Sequence, residues 1–250
     1  YILLAEKGRN KICLYIDNKL QYDVDDPDTV MSAELSSNGD VVVVTDKSSY
    51  RGGISVYNKS GEQIFSWASG SDAVICADIS AASRSVAVAL LNSDVTAKTT
   101  IQLFNVNETE SYAKIEMPDT VVYELQFVGD KVNAFGDNRV TGISSSGKIV
   151  YDNDFSNVHL THSEIDSNGN KLLAFHDGKI PILNLYSKNG SLKNSTNLIG
   201  VTDFIDINKK YILYNIGRDI YFGKTNSKVM SKYTAAMDIK NLIIFPTWKI

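Results

Sequence analysis

Three histidines, two cysteines and two short acidic stretches are the side chains of this 250-residue chain whose types and spacing could do chemistry. His159 and His162 lie three apart in Val158-His159-Leu160-Thr161-His162. On a strand, alternation sends that pair to opposite faces. No Cys or Glu stands at a zinc-like spacing beside them. Surface or packed histidines are therefore expected, His176 included. Asp23, Asp25, Asp26 and Asp28 form the densest acidic cluster, and oxygen ligands in a loop could hold Ca²⁺. The spacing does not match an EF-hand, and Pro27 stiffens the segment differently, so a solvated loop is expected. Asp166-Ser167-Asn168-Gly169-Asn170 superficially resembles part of a calcium loop. It fills the same slot as Ser36-Ser37-Asn38-Gly39-Asp40, which marks it as hairpin chemistry. Cys13 and Cys76 are too few for a disulfide scaffold, and buried unpaired thiols are expected.

The elements that position these groups follow from composition and repetition. The chain is 43% hydrophobic and 22% charged, enough apolar content for a large core. It holds 59 Val, Ile and Thr and 24 Tyr, Phe and Trp, residues that suit half-buried strands. Its 63 Asn, Ser and Gly supply turns, and Pro numbers 4. No stretch shows a sustained 3.6-residue apolar pattern, so the fold class is all-β. A strand–turn–strand–strand–turn–strand order recurs through Val41–Val44, Val86–Ala89, Val132–Phe135, Leu172–Phe175 and Tyr211–Tyr214, each the second strand of its unit. Counting Ile2 and Leu242 as well, seven such strands are spaced by 39, 45, 46, 40, 40 and 30 residues. Four strands repeating about every 40 residues is the arithmetic of a β-propeller blade.

One propeller domain over residues 1–250 is therefore expected. It comprises a partial blade 1–25, blades 28–67, 72–117, 121–155, 158–198 and 201–235, and a partial blade 236–250. Seven blades is the expected count. Strand-forming residues before Tyr1 would then supply the closing strands, which protects open edges. Six is the alternative, with Met237–Ile239 joining the first three strands and the last residues forming a tail.

The architecture resembles WD40 propellers but lacks their Gly-His and Trp-Asp dipeptides. Ile2-Leu3-Leu4-Ala5-Glu6-Lys7-Gly8, Cys13-Leu14-Tyr15 and Ile54-Ser55-Val56-Tyr57-Asn58-Lys59-Ser60-Gly61 resemble the bacterial propeller family of unknown function DUF5711. The resemblance implies an extracytoplasmic protein tethered by an N-terminal membrane helix that precedes this chain. It brings no catalytic residues.

The bounds on function are mostly exclusions. A net charge of -4 removes the simplest nucleic-acid reading, since no basic stripe is evident. No apolar run approaches the roughly 20 residues of a membrane helix. Sialidase-type Ser-x-Asp-x-Gly-x-x-Trp turns are absent, and Trp67 and Trp248 follow no such turn. Quinone-docking tryptophan repeats, a nucleophile elbow and a phosphate-cradling glycine loop are missing too. Tyr57, Tyr151, Tyr186, Tyr211 and Tyr214 are expected to pack between blades, leaving Tyr50 and Tyr112 freer for contact. No residue is assigned a catalytic, cofactor or metal role, and no cofactor is expected. The leading reading is a non-catalytic extracytoplasmic scaffold binding a protein or cell-envelope glycan. A hydrolase or lyase using carboxylates at the central channel, and a structural spacer, are the alternatives.

Overall fold

A computed structural model describes residues 1–92, 96–226 and 230–245. Two compact units make up the chain, Tyr1–Val150 and Tyr151–Ile250. Among the described residues every regular element is a strand. The strands are β1 (Ile2–Ala5), β2 (Lys11–Ile16), β3 (Lys19–Asp25), β4 (Thr29–Leu35), β5 (Val41–Asp46), β6 (Gly53–Tyr57), β7 (Gln63–Ala68), β8 (Ala73–Ile79), β9 (Ser85–Asn92), β10 (Lys98–Asn105), β11 (Ala113–Pro118), β12 (Val122–Val128), β13 (Lys131–Gly136), β14 (Arg139–Ile143), β15 (Ile149–Asp154), β16 (Leu160–Ile165), β17 (Lys171–Phe175), β18 (Ile182–Tyr186), β19 (Leu192–Asn197), β20 (Ile205–Asn208), β21 (Tyr211–Ile216), β22 (Asp219–Lys224) and β23 (Met230–Thr234). They form six sheets in sequence order, β1–β3 and then five sheets of four: β4–β7, β8–β11, β12–β15, β16–β19 and β20–β23.

Five hairpins share one turn, written Ser/Asn/Asp-x-x-Gly-x, and the sequence dictates it. The turns are Ser36–Asp40, Asn58–Glu62, Ser144–Lys148, Asp166–Asn170 and Ser187–Ser191. In each, the first N–H donates to the fifth carbonyl at 2.8–2.9 Å, and the Gly N–H donates to the first carbonyl at 2.8–3.1 Å. The glycines sit at φ +78 to +92, where a Cβ is disfavoured. The opening Ser, Asn or Asp side chain bonds back into its own turn, as Asn58 Oδ1 does to Ser60 N and Glu62 N.

The second strand of each four-stranded sheet carries the core. In β5, Val41 and Val43 pack with Ile12, Leu14 and Tyr22 of the first sheet. Val42 and Val44 pack with Ile79, Val86 and Val88 of the third. Alternation thus buries both faces of one strand, which is why these strands read as unbroken apolar runs. Each such valine contributes roughly 1.5–3 kcal/mol by leaving water. A third cluster joins Leu103, Leu125 and Val132, and a fourth within the second unit joins Leu172, Leu185, Ile205 and Tyr214. A one-residue bulge recurs in the first strand of four sheets, at Met31, Ile75, Tyr123 and Thr161.

The C-terminal expectation needs correction. No strand is present at Met237–Ile239 or Leu242–Phe245. Ile244 N instead donates to Asp206 Oδ2, and Asn208 Nδ2 donates to the Ile244 carbonyl at 3.2 Å. The segment is thereby held against β20 by side chains rather than by a ladder. Residues 246–250, the end of the expected partial blade 236–250, lie outside the described residues.

Candidate functional site

The residues singled out by type do not gather into one site among the described residues. His159 is exposed and precedes β16, and its carbonyl accepts the His176 N–H at 2.9 Å. His162 lies beyond the Thr161 bulge, so simple alternation does not relate the two. The His162 Nδ1 is buried without a hydrogen-bond partner, and burial lowers its pKa against the opposing pull of Asp203. Among the described residues no three His, Cys, Asp or Glu side chains are placed to hold a metal.

The acidic cluster is not one exposed loop, which corrects the expectation. Asp23 and Asp25 belong to β3, and Asp23 pairs with Lys11 at 2.7 Å. Asp26 is buried and accepts the Tyr57 hydroxyl at 2.7 Å and Asp28 N at 2.9 Å. Asp28 pairs with Lys47 at 3.0 Å. Asp23, Asp26 and Asp28 thus each have a separate partner, and the four carboxylates do not converge. Tyr57, Tyr151, Tyr186 and Tyr214 are buried, whereas Tyr50 and Tyr112 are exposed.

Register aligns a row of polar residues that no local motif marks. Glu34, Asp78, Gln126, Glu164 and Asp206 are paired with Val42, Ala87, Asn133, Leu172 and Leu213, so each is the corresponding residue of its sheet's first strand. In the first unit the row gathers charge. Burial pushes the Asp78 carboxyl up to about 7 against two backbone N–H donors, Phe127 N at 2.6 Å and Ile79 N at 2.8 Å, while Glu34 and Glu124 add like charge. Burial also raises Glu34. Cys76 directs its Sγ at the Val122 carbonyl, 3.9 Å away, and burial pushes its thiol far up, which leaves it unreactive. Asp78 thus brackets β8 to β12, and Asp206 holds the Ile244 N–H in the same manner.

The Asp78 environment has a pH signature. Its folded pKa lies above the unfolded value of 3.8, so the native state holds the proton more tightly. Stability from this group is fully present below about 4, falls as pH rises, and is lost above about 7. Thermal unfolding across that window should show the Asp78→Asn chain gaining on the parent as pH rises. A difference independent of pH would contradict the assignment.

The second unit carries the open features. Its hairpin end gathers the turns after β16, β18, β20 and β22. There a polar cleft of about 240 Å³ is lined by Asn170, Leu185, Lys193, Lys209, Thr225 and Asn226. Lys193 Nζ donates to Asn170 Oδ1 at 2.8 Å and is held across the cleft. Lys209 also borders a groove of about 660 Å³ lined by Asn208, Lys210, Tyr211, Phe222, Ile244 and Phe245. Tyr211 and Phe222 stack in it at 5.2 Å and 16°. Phe222 is 39% exposed and Phe245 73%. Tyr211 therefore lines an open groove, not the tight packing expected of it. A spacing motif could not have found this site, because its residues come from several strands, the turns that join them and the C-terminal segment.

The meandering four-stranded sheets belong to a β-propeller, and solved structures superpose on that basis. The crystal structure of BBS1N in complex with ARL6DN, soaked with mercury, matches with a TM-score of 0.63 and 11% identity, covering 96% of this chain and 78% of that one. That of the computationally designed Ika8 protein matches with a TM-score of 0.52 and 12% identity, over 98% and 90%. BamB from Moraxella catarrhalis gives 0.47 and 9% over 96% and 87%, too low to weigh. No curated protein matches the chain in sequence. The chain belongs to the family of unknown function DUF5711, whose model matches residues 1–249.

Proposed function

We propose that this propeller is a non-catalytic binding module that meets a protein or cell-envelope glycan at the hairpin end of its second unit. The observation that carries this is the lysine-lined cleft running into a groove floored by stacked Tyr211 and Phe222. Aromatic faces beside polar groups are what a ligand contact needs. The first-strand carboxylates argue for the enzymatic alternative only at Asp78, whose pKa suits acid–base work. Its oxygens, however, are taken by backbone N–H groups.

We favour six blades. Six sheets are present, and Ile244 stands to Asp206 as Phe127 stands to Asp78. Leu242–Phe245 therefore takes the position of a first strand rather than the second strand counted from its sequence. We further propose, on the family resemblance alone, a site of action outside the cytoplasm with an N-terminal membrane tether. Digestion of intact cells by an added protease tests this, and protection until lysis would overturn it.

Binding to an array of envelope glycans and purified envelope proteins tests the main reading. The parent chain should retain a ligand unchanged in length, and Phe222→Ser should lose it by about tenfold or more. Release of a shortened product, or retention indifferent to Phe222, would overturn it.

A further inference from the structure

Whole-chain charge conceals an opposition between the two units. The first unit carries 13 Lys and Arg against 20 Asp and Glu, and the second carries 12 against 9. Within the second unit the excess sits at the hairpin end, with Lys188, Lys193, Lys209, Lys210 and Lys224 all exposed. Two of the carboxylates near them are occupied. Asp166 is buried and accepts Asn168 N at 2.8 Å, Asn170 N at 2.9 Å and Asn170 Nδ2 at 2.9 Å. Asp206 accepts Ile244 N. Like charges gathered around a concave surface raise the local concentration of counter-ions, and so select an anion.

We propose that this end binds an acidic polysaccharide, with sugar carboxylates or phosphates between Lys193, Lys209 and Lys210 and a sugar ring on the exposed face of Phe222. The inference rests on the binding-module reading and narrows its ligand. Lys193 and Lys209 face one cleft, and Lys209 and Lys210 border the adjoining groove, so the two share a lysine. Acid groups and ring faces must therefore alternate along the ligand, as they do in a polymer of charged sugars. A bare polyanion uses the lysines and leaves the aromatic floor unused. A neutral glycan does the reverse. Asn170, Thr225 and Asn226 supply the amide and hydroxyl groups that bond sugar hydroxyls.

Calorimetric titration of the full chain with oligogalacturonate tests this. Poly(glycerol phosphate), a single-stranded oligodeoxynucleotide and a neutral oligoglucoside serve as comparisons. Oligogalacturonate should bind best, and should weaken as NaCl rises from about 50 to about 300 mM. The Lys209→Gln/Lys210→Gln chain should lose about tenfold with a flatter salt dependence. Phe222→Ser should lose a similar factor with the salt dependence kept. Unchanged unfolding temperatures in these surface variants separate lost binding from lost fold. Equal binding of the phosphate polymer or the oligonucleotide, indifferent to Phe222, would overturn the sugar assignment. A neutral or protein ligand lost on Phe222→Ser, with no uronate binding, would overturn the charge assignment and leave the groove in place. Binding that no variant alters would overturn both.

Discussion

Gly190→Ala should destabilise the chain by about 3 kcal/mol, roughly 6–12 °C in Tm for a protein of this size. Two causes add. Gly190 holds φ +78, where an L side chain costs about 1–2 kcal/mol. An added Cβ would also lie 2.7 Å from Cγ and Cδ2 of Tyr151 and 2.9 Å from Asn153 Oδ1. Neither neighbour yields easily. Tyr151 is buried with the Lys171 ammonium 4.5 Å from its ring centre, and Lys171 is itself fully buried and donates to the Gly169 carbonyl at 3.0 Å. Asn153 Nδ2 donates to the Gly190 carbonyl at 3.0 Å. Gly178 separates the two causes, because it has φ +83 with nothing within 4 Å of its added Cβ. Gly178→Ala should cost only the backbone share, about 1 kcal/mol. Equal losses in denaturant titrations would show that Tyr151 does not set the close approach.

Asp26→Ala should cost about 3 kcal/mol by a different route. Asp26 is 1% exposed and Tyr57 4% exposed, so the Tyr57 hydroxyl would lose its carboxylate acceptor away from water, with only the Ser55 hydroxyl left beside it. Burial and the Asp26 charge hold that hydroxyl above its usual pKa, so it remains a donor throughout the working range. The Asp28 N–H would lose its acceptor as well. Tyr57→Phe alone leaves a buried carboxylate with one donor fewer and should cost somewhat less. The double variant should lose clearly less than the sum, because each single change strands the other partner. Strictly additive losses would mean the two groups are not coupled in solution.

Most of the fold was legible because it rests on local rules. Ser-Ser-Asn-Gly-Asp and Asn-Lys-Ser-Gly-Glu specify their turns by the glycine that must occupy positive φ. The unbroken Val41–Val44 run marks a strand buried on both faces. What stayed hidden depends on register and partners. Glu34, Asp78 and Glu164 each precede the last paired residue of a first strand and Asp206 stands two before it, a regularity that lining up Ala77-Asp78-Ile79 with Ile205-Asp206-Ile207 would have exposed. Leu242-Ile243-Ile244-Phe245 reads as a strand by residue type, yet it is held by the side chains of Asp206 and Asn208 and not by a ladder, which residue type does not foretell. Asp23 to Asp28 read as one cluster because composition does not say that β3 runs on to Asp25 while Asp26 turns inward. The basic hairpin end vanished into a net charge of -4, since the first unit's acids outweigh it.

The claim that this propeller binds through the second unit's hairpin end is tested most directly by hydrogen exchange read by mass spectrometry, with and without saturating oligogalacturonate. Exchange should slow only in the turns around Asn170, Lys209 and Thr225 and in the adjoining part of β22, with the sugar recovered at full length. Protection centred on the first-strand carboxylates Glu34, Asp78 and Glu124, or recovery of shortened sugar, would contradict it.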